Sequence, residues 1–345
     1  MTTSEKVTQT LRDSAGVRWM VLLFLAFAMF CSYIFMDILS PIKDLMLSTR
    51  GWDSTAFGTM QGSETFLNVF VFFLIFAGII LDKMGVRFTA ILSGAVMLIG
   101  ACINWYAVTE AFMGSSLEQW FTNNLNYIPG FDELGISPFY EGMPASAKFA
   151  AVGFMIFGCG VEMAGITVSR GIVKWFKGRE MALAMGSEMA LARLGVATCM
   201  IFSPMFAKWG GVIDVSRSVA FGVVLLMIAL IMFIVYFFMD KKLDTQTGEA
   251  EEKDDPFKIS DLGAILSSSG FWLVALLCVL YYSAIFPFQK YAVNMLQCNL
   301  TFTEVPADSF WATNTVTVIQ YVIMLVVAAA SFASNFCKQK SMKNG

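Results

Sequence analysis

The stretch GIILDKMGVR, residues 78–87, is a short polar turn between two apolar runs of the chain. Two glycines, one acid and two cations distinguish it: Gly78, Asp82, Lys83, Gly85 and Arg87. Glycine permits close helix packing and a tight turn, and the acid can pair with nearby cations to hold that turn. The pattern predicts a charge-stabilised turn between two helices, and an ordinary basic turn at the inner side of a membrane also explains it.

The composition of the chain indicates a membrane protein. Of its 345 residues, 57% are hydrophobic and 14% are charged, and the mean hydropathy is +0.67. A soluble domain is about 45–50% apolar and about 25% charged. The chain has more hydrophobic residues and fewer charged residues than a soluble domain, and both differences exclude an ordinary soluble domain.

Charge-poor apolar runs of about 20 residues, the length that crosses a bilayer as a helix, recur along the chain. The runs are continuous and show no period-two alternation, which argues against a β-barrel. The sequence therefore predicts an all-α membrane protein. Its eight predicted spans are 19–40, 57–81, 88–108, 148–169, 182–207, 218–239, 271–293 and 310–336.

The distribution of lysine and arginine predicts the orientation. With a cytoplasmic N-terminus, sixteen of these cations fall in inner segments, six in outer segments, and Arg193 lies inside a span. The bias predicts that both termini are cytoplasmic and that the long loop 109–147 lies outside.

Several chemistries find no support in the sequence. There is no histidine, and the seven cysteines form no CxxC pair, which leaves little basis for zinc, haem or a histidine-dependent nucleophile. No Walker loop, GxSxG motif or basic-aromatic patch is present. We therefore expect no enzyme activity, cofactor, metal or nucleic-acid partner. The expected partners are a small-molecule substrate and the lipid bilayer, and an accessory subunit is left open.

The order of spans and polar segments predicts four parts. A cytoplasmic arm, 1–18, precedes a bundle of six spans, 19–240. A polar cytoplasmic linker, 241–260, is predicted to be disordered, and 261–345 begins a second, incomplete bundle. Six spans, a linker and further spans are the outline of a transporter built from two halves.

Two opposite charges lie deep in neighbouring spans. Glu162 lies eight residues before Arg170, and Arg193 lies fourteen residues after Arg179, so they are about 12 and about 21 Å along their helices from those inner cations. Small residues share a helical face with each charge. An ion pair that holds the bundle together explains the two charges, and so does a site for a ligand with a free amine and a free carboxylate.

Five further residues are weaker candidates. Asp37 could take a substrate amine or a proton, or could be an outer-surface charge. Glu64 and Glu188 are buried enough for proton coupling, although Glu188 is five residues from Arg193 and is expected on another face. Tyr282 and Gln289 could contact a ligand from the second half, or could only pack between helices.

The turn at 78–87 resembles the signature loop of the major facilitator superfamily, G-x-x-x-D-[RK]-x-G-x-[RK], with valine at position 86 where a second basic residue is common. The stretch SRGIVKWFKGREMALAMGSEMALARLG (169–195), with GCGVE before it and FWLVALLCVLYYSAIFPFQKY (271–291) after it, resembles the branch of lysosomal dipeptide transporters and their bacterial relatives. WFKGRE is also similar to loops of organic-anion symporters in the superfamily.

The resemblance implies a fold of twelve helices in two halves, alternating access, and small peptides as substrates. Glu162 and Arg193 match the acid and the base of that branch, and the 78–87 loop matches its gating loop. Only two spans follow the linker, however, and 331–345 holds no second glycine–acid–basic loop. We therefore expect the six-helix first half and about two helices of the second, with a reading frame that continues past Gly345.

Three functions are left open by the sequence: a transporter of dipeptides or similar zwitterions, an organic-anion symporter with Arg193 as its main site, and a membrane scaffold without transport. Competition between dipeptides and anions separates the first two, and uptake into vesicles separates both from the third. The expected location is the plasma membrane of a bacterium in preference to a lysosomal membrane. Proton coupling and uniport are both compatible with the sequence.

Overall fold

The computed structural model of the protein describes residues 10–247, 263 and 265–300, with isolated positions between 318 and 329. The described chain is built from helices and turns. The helices are α1 Ala15–Met36, α2 Lys43–Arg50, α3 Ser54–Gly62, α4 Phe66–Phe70, α5 Phe73–Ala107, α6 Ser116–Asn123, α7 Ala145–Phe176, α8 Met181–Ala207, α9 Val215–Thr247 and α10 Ser269–Asn299.

Six helical segments in the described part of the chain are long and apolar enough to cross a membrane. They are Ala15–Arg50, Phe73–Ala107, Ala145–Phe176, Met181–Gly211, Val215–Thr247 and Ser269–Ala292. The prediction of an all-helical, multi-pass membrane protein is confirmed. The predicted span 310–336 lies almost entirely outside the described residues.

Gly85 is the point at which α5 reverses direction. Its backbone, with φ 80° and ψ 166°, is not helical although the residues on both sides are. Before it, the Ser63 hydroxyl donates to the Ala151 carbonyl at 3.1 Å, and Asp82 pairs with Arg170. The chain from 63 to 82 therefore runs in the same direction as α7.

Beyond Gly85 the chain returns along α7 in the opposite direction. The Asn104 amide donates to the carbonyl of Ala150 near the start of that helix, at 3.3 Å, and Met97 lies against Gly160. The two predicted spans 57–81 and 88–108 are thus joined by the single-glycine reversal that the charged turn predicts.

The predicted span 57–81 was wrong in one respect, because it is not one continuous helix. A 3-10 turn, Ser63–Thr65, separates α3 from α4, and Phe72 with φ 55° separates α4 from α5. The Ser63 hydroxyl also donates a hydrogen bond to the carbonyl of Met60, three residues earlier in the chain, at 2.6 Å. Such local bonds compete with regular helix, and they are not visible in hydropathy.

Glycines bring the long helices into backbone contact. A Cβ placed on Gly100 of α5 would overlap the backbone of Phe157 in α7, and one on Gly195 of α8 would lie 2.5 Å from the carbonyl oxygen of Phe30 in α1. Small residues at helix crossings allow this approach in a membrane, where dispersion contacts replace the hydrophobic effect between helices. These crossings set how α5 faces α7 and how α1 faces α8.

An ionic network joins α5, α7 and α9 at one end of the bundle. Asp240 is fully buried; it accepts from Lys174 at 2.7 Å and from the Trp175 indole at 2.9 Å. Arg87 of the signature turn lies 3.0 Å from Asp244 and 3.9 Å from Asp240. A buried carboxylate is tolerated when cations and donors surround it in this way.

The helix α9 extends further than the sequence indicated. It continues to Thr247, seven residues into the segment that was expected to be a disordered linker. Asp244 lies in this extension, and Asp240 lies immediately before it. Their ion pairs with α5 and α7 hold the helix in place. Residues 248–262 lie outside the described residues.

The arm before α1 contacts the ends of other helices. The backbone N–H of Leu11 donates to Gln246 at 2.9 Å, and Asp13 pairs with Arg179 at 2.9 Å. Hydrogen bonds from the backbone and hydroxyl of Thr10 hold the pKa of Asp13 below its ordinary value, and Arg179 lowers that pKa further. The first nine residues lie outside the part that the structure describes.

Replacing Gly85 by alanine should destabilise the folded protein. A backbone at φ 80° and ψ 166° is open to glycine and strained for residues with a Cβ, so Gly85→Ala should lower the free energy of unfolding by about 1–3 kcal/mol. The measurement is thermal unfolding of purified protein in detergent, without ligand.

The matched control is Gly78→Ala, in the same motif. Gly78 lies in helix and has open space where a Cβ would be, so this change should leave the melting temperature within about 1–2 °C of the wild type. Equal melting temperatures for the Gly85→Ala variant and the wild type would contradict the assigned reversal.

Candidate functional site

Glu162 and Arg193 occupy α7 and α8, as the sequence predicts, and both side chains are partly buried. No ion pair joins them, and within the described residues neither side chain makes a hydrogen bond. A structural ion pair predicts direct contact between the two groups, and that contact is absent. The acid and the base are therefore available for other partners.

Tyr33 of α1 lies beside Arg193 and within electrostatic reach of Glu162. The Arg193 guanidinium is 5.2 Å from the centroid of the Tyr33 ring, a distance at which cation–π attraction operates. The Tyr33 hydroxyl is within electrostatic reach of Arg193, Glu162, Glu188 and Tyr282. We call these five residues the central cluster.

The crossing of α1 and α8 fixes this arrangement. A Cβ on Gly195 would lie 3.3 Å from the Cβ of Tyr33, so the two backbones are as close here as a glycine allows. Arg193 lies two residues before Gly195 on α8, and its long side chain extends to the Tyr33 ring. The close approach of the two helices keeps Tyr33 within reach of that side chain.

The small residues around the two charges have two different roles. Gly158 of α7 packs against the backbone of Glu64, and a Cβ there would overlap it. Gly165 of α7 and Gly186 of α8, in contrast, have no atom within 4 Å of a Cβ position. The small-residue faces predicted from spacing thus divide into a packing part and an open part.

Glu188 lies in the central cluster although its spacing indicated another face of α8. Five residues correspond to about 140° around a helix, and the expectation followed from that angle. Glu188 is nonetheless buried and within reach of the Tyr33 hydroxyl. Tyr33 comes from a different helix, α1, and it can therefore lie near both Arg193 and Glu188 although these two residues do not share a face of α8.

Lys290 of α10 forms a second polar site with the first helices. Its ammonium lies 2.8 Å from Asp37 and donates to the Met36 carbonyl at 2.9 Å and to Gln61 at 3.3 Å. It also lies 5.9 Å from the ring centroid of Phe154 in α7. We call this the Asp37–Lys290 latch. Its ion pair occupies Asp37, for which the sequence left open a substrate amine, a proton or an outer-surface charge.

Neighbouring contacts reinforce the latch. Lys43 donates to the Asn294 side chain at 3.1 Å, and the Asn294 amide donates to Asp44 at 3.2 Å. The Tyr291 hydroxyl packs against Gly58, where a Cβ would lie 2.7 Å from it. These residues join the last part of α10 to α2 and α3.

The opposite end of α10 makes no comparable contact with the described helices. Side chains from Phe271 to Leu280 are mostly exposed. Tyr282 stacks on Phe286 with ring centroids 5.0 Å apart, and Gln289 is partly exposed beside the latch. Tyr282 is thereby placed near Tyr33, whereas Gln289 has no hydrogen bond to another described residue.

Glu64 lies between the two sites. It is only 8% exposed, and its carboxyl makes no hydrogen bond or ion pair in the described chain. It is within electrostatic reach of Lys290, Asp37 and Glu162. Its packing on Gly158, one helical turn before Glu162, accounts for this position.

The signature turn contributes ion pairs away from the central cluster. Asp82 pairs with Arg170 of α7, and Arg87 pairs with Asp244 of α9 at 3.0 Å. Lys83 is exposed, and Gly78 is surrounded by open space. The prediction that the acid pairs with a nearby cation is met by Arg170, which is distant in sequence.

Comparison with protein families matches residues 25–339 to the Major Facilitator Superfamily. The chain belongs to the major facilitator superfamily. This superfamily model covers the central cluster, the latch and the signature turn together, and it confirms the family indicated by the turn at 78–87.

Curated relatives of this member of the superfamily carry the name lysosomal dipeptide transporter MFSD1. The Danio rerio protein is 24% identical over 338 residues, which is 95% of this chain and 63% of that protein. The Homo sapiens protein is 22% identical over 280 residues, 79% of this chain and 52% of that protein. The Gallus gallus protein is 28% identical over 145 residues, 40% of this chain and 32% of that protein.

These matches support the branch of the superfamily that the sequence indicated. The chain spans about half to two-thirds of the length of the Danio rerio and Homo sapiens relatives. No solved structure gives a significant match.

Two features of the site were not predicted from the sequence. Lys290 was counted only as an outer-segment cation, although a lysine within an otherwise apolar run was itself a signal. Tyr33 lies four residues before Asp37, on the same face of α1, but no pattern along α1 shows that it faces Arg193 of another helix.

Proposed function

We propose that this protein is a membrane transporter that works by alternating access and carries small zwitterions such as dipeptides. The observation that carries the proposal is the unpaired state of Glu162 and Arg193, on neighbouring helices, beside a shared tyrosine and near open space. The carboxylate would receive the ammonium of the substrate, and the guanidinium would receive its carboxylate.

Electrostatics favours a zwitterion as the ligand of this site. A charge inside a bilayer is costly without a partner, and breaking a buried pair costs about 3–5 kcal/mol. A ligand with one ammonium and one carboxylate supplies both missing partners at once. Arginine adds selectivity because its planar donors bind a carboxylate in a forked contact.

The relatives support the same substrate class. Each of the three proteins described above is named as a dipeptide transporter. Identity of 22–28% does not transfer a substrate by itself, so the class rests on the charges of the central cluster as well. An organic anion would use Arg193 and leave Glu162 without a partner, which makes it the weaker candidate.

The latch supports alternating access. It ties the beginning of the second half to the first half at one end of α10, whereas the other end of that helix is exposed. Transport by two halves requires such contacts to close one side while the other opens. By the lysine and arginine bias, the latch lies on the outer side, so this conformation would be closed towards the outside.

Topology is the first test of this orientation. We expect cytoplasmic termini and an outer loop at 109–147, in a cell membrane and, by preference, the plasma membrane of a bacterium. Tyr127→Cys in the outer loop and Thr245→Cys at the end of α9 are introduced one at a time into a variant whose seven native cysteines are replaced by serine. An impermeant thiol reagent on intact cells should then label position 127 and spare 245. Permeabilised cells are the control, and labelling of 245 alone in intact cells would reverse the model.

Single substitutions of the two charges should weaken dipeptide binding. Glu162→Gln removes the charge that binds the ammonium, and Arg193→Lys removes the forked contact. Because hydrogen bonds to charged groups contribute about 1.5–3 kcal/mol, each change should raise the dissociation constant of dialanine by roughly 10- to 150-fold. Ligand-induced thermal shift on purified protein measures the effect.

An N-acetylated dipeptide provides the matched ligand control. It has no free amine, so Glu162→Gln should affect its binding much less than that of dialanine. Unchanged dialanine affinity in both stable single variants would exclude the proposed site. Displacement of dialanine by carboxylates without an amine as strongly as by dipeptides would favour the organic-anion symporter.

Neutralising the latch should open the outer side. Lys290→Gln leaves Asp37 buried without a cation, which disfavours the closed arrangement. A reporter cysteine at the open position Gly165 should then react faster with an impermeant thiol reagent added outside, by roughly tenfold for each 1.4 kcal/mol of shift in a closed-favoured equilibrium.

The exposed Lys208 supplies a matched control, because Lys208→Gln removes a cation outside the latch. The double variant Asp37→Lys with Lys290→Asp restores an ion pair and should return the reaction rate towards that of the wild type. Equal rates in the Lys290→Gln variant, the Lys208→Gln variant and the wild type would show that the latch does not hold the outer side closed.

A further inference from the structure

We propose that the end of α1 and α3 together form a site for a free monovalent metal cation, such as Na⁺ or K⁺, which Lys290 fills with its own ammonium in this conformation. The site consists of oxygen atoms of Met36, Asp37 and Gln61 that surround this ammonium, and we call it the cation cradle. The cradle is independent of the substrate. Its exposure during transport rests on the proposed function, because the latch has to open.

Three oxygen atoms converge on one position in the cradle. The Lys290 ammonium lies 2.8 Å from Asp37 Oδ1. It also donates to the Met36 carbonyl at 2.9 Å and to Gln61 Oε1 at 3.3 Å. Asp37 is only 3% exposed and Gln61 only 7%. Carboxylate, backbone carbonyl and amide oxygens are the ligands of hard metal cations in proteins, and here they already hold a positive charge.

The end of α1 strengthens the attraction for a cation. Met36 is the last residue of this helix, and the carbonyls of a last helical turn have no partner within the helix. They also form the negative end of the helix dipole, which favours a cation. Two residues further on, the Ile38 carbonyl accepts a hydrogen bond from Ser203 of α8 at 2.6 Å. The backbone of the cradle is therefore held by a helix other than α10.

Ser40 orients the amide of the cradle. The Gln61 Nε2 group donates to the Ser40 hydroxyl at 3.3 Å, and that hydroxyl donates to Asp37 Oδ1 at 3.5 Å. Because its nitrogen is used in this way, the Gln61 amide presents its oxygen to the ammonium. All three residues belong to segments other than α10. The oxygen atoms therefore remain together when Lys290 leaves.

The charge of the cradle selects a monovalent ion. Asp37 carries the single formal charge among the three oxygen ligands, and a monovalent cation neutralises it as the Lys290 ammonium does. A divalent ion would leave a net positive charge, which is costly inside a bilayer. The expectation of no bound metal followed from the lack of histidine and of paired cysteines. Those ligands suit zinc, and a hard cation held by oxygen atoms does not require them.

Lys290 and a free cation compete for the cradle. In the closed arrangement the ammonium fills it, so only the open fraction of the molecules binds an ion, and the apparent dissociation constant rises as that fraction falls. Removal of the ammonium ends this competition. A cation that binds only the open arrangement also favours opening. Na⁺ or K⁺ on the outer side would therefore promote the conformation that accepts substrate from that side.

The experiment measures the binding of radioactive Na⁺ and of radioactive Rb⁺, an analogue of K⁺, to purified protein in detergent, with choline as the replacement cation. Lys290→Met keeps the apolar stem of the side chain and ends short of the cradle. This variant should bind at least one of the two ions with a dissociation constant lower than that of the wild type by about tenfold or more. Adding Asp37→Asn should raise that constant again by about tenfold or more, because the charged ligand is lost.

The matched control is Lys208→Met, the same substitution at an exposed lysine outside the latch. It should bind both ions as the wild type does. If the Lys290→Met variant folds in sodium or potassium chloride but not in choline chloride, as judged by its melting temperature, this supports the cradle as well. Lys290→Gln replaces Lys290→Met if the latter folds in none of these salts.

Two results would overturn the cation site: no saturable binding of either ion to the Lys290→Met variant, or binding that survives the addition of Asp37→Asn. If neither ion binds and Asp37→Asn lowers the affinity for dialanine, the cradle takes the substrate ammonium, which overturns this inference and leaves the proposed function standing. Unchanged dialanine affinity in the Glu162→Gln and Arg193→Lys variants would overturn the proposed function instead, without affecting ion binding to the Lys290→Met variant.

Discussion

A charged side chain inside a bilayer requires a partner, and this requirement organises the described helices. At one end of the bundle Asp240 is held by Lys174 and the Trp175 indole. At the other, Asp37 is held by Lys290 of α10. Between these ends lie acids whose side chains have no ion pair in the described chain: Glu64, Glu162 and Glu188. The paired acids fasten helices to one another, and the unpaired acids are those to which the proposed function assigns a ligand or a proton.

Close helix packing makes this charge arrangement possible. Gly195 lets α1 approach α8, which brings Tyr33 to Arg193, and Gly158 lets the turn that carries Glu64 approach α7. A larger residue at either glycine would separate the backbones and with them the polar side chains. The central cluster is therefore built as much by the residues that lack side chains as by those that carry charge.

Patterns along single segments predicted the helices, the reversal at 78–87 and the two deep charges, because composition and spacing act locally. Contacts between segments were not predictable in the same way. Helical spacing predicts which face of its own helix a residue occupies, but it does not predict which side chains of another helix lie opposite that face. The proximity of Tyr33 on α1 to Glu188 on α8 was therefore missed. Hydropathy averages over a window, so it did not reveal the break at Ser63–Thr65. The partner of Asp37 comes from about 250 residues further along the chain, beyond any local pattern.

The separation of Glu162 from Arg193 has a kinetic consequence. In a transporter that closes around this site, an empty cavity would lose its water while both charges still lacked partners, and the barrier to that step would be high. A bound zwitterion neutralises both charges and lowers the barrier. Such a carrier returns faster loaded than empty, so substrate on the far side of the membrane would accelerate movement of labelled substrate from the near side. Exchange would then outpace net flux, with little leak through unoccupied cycles.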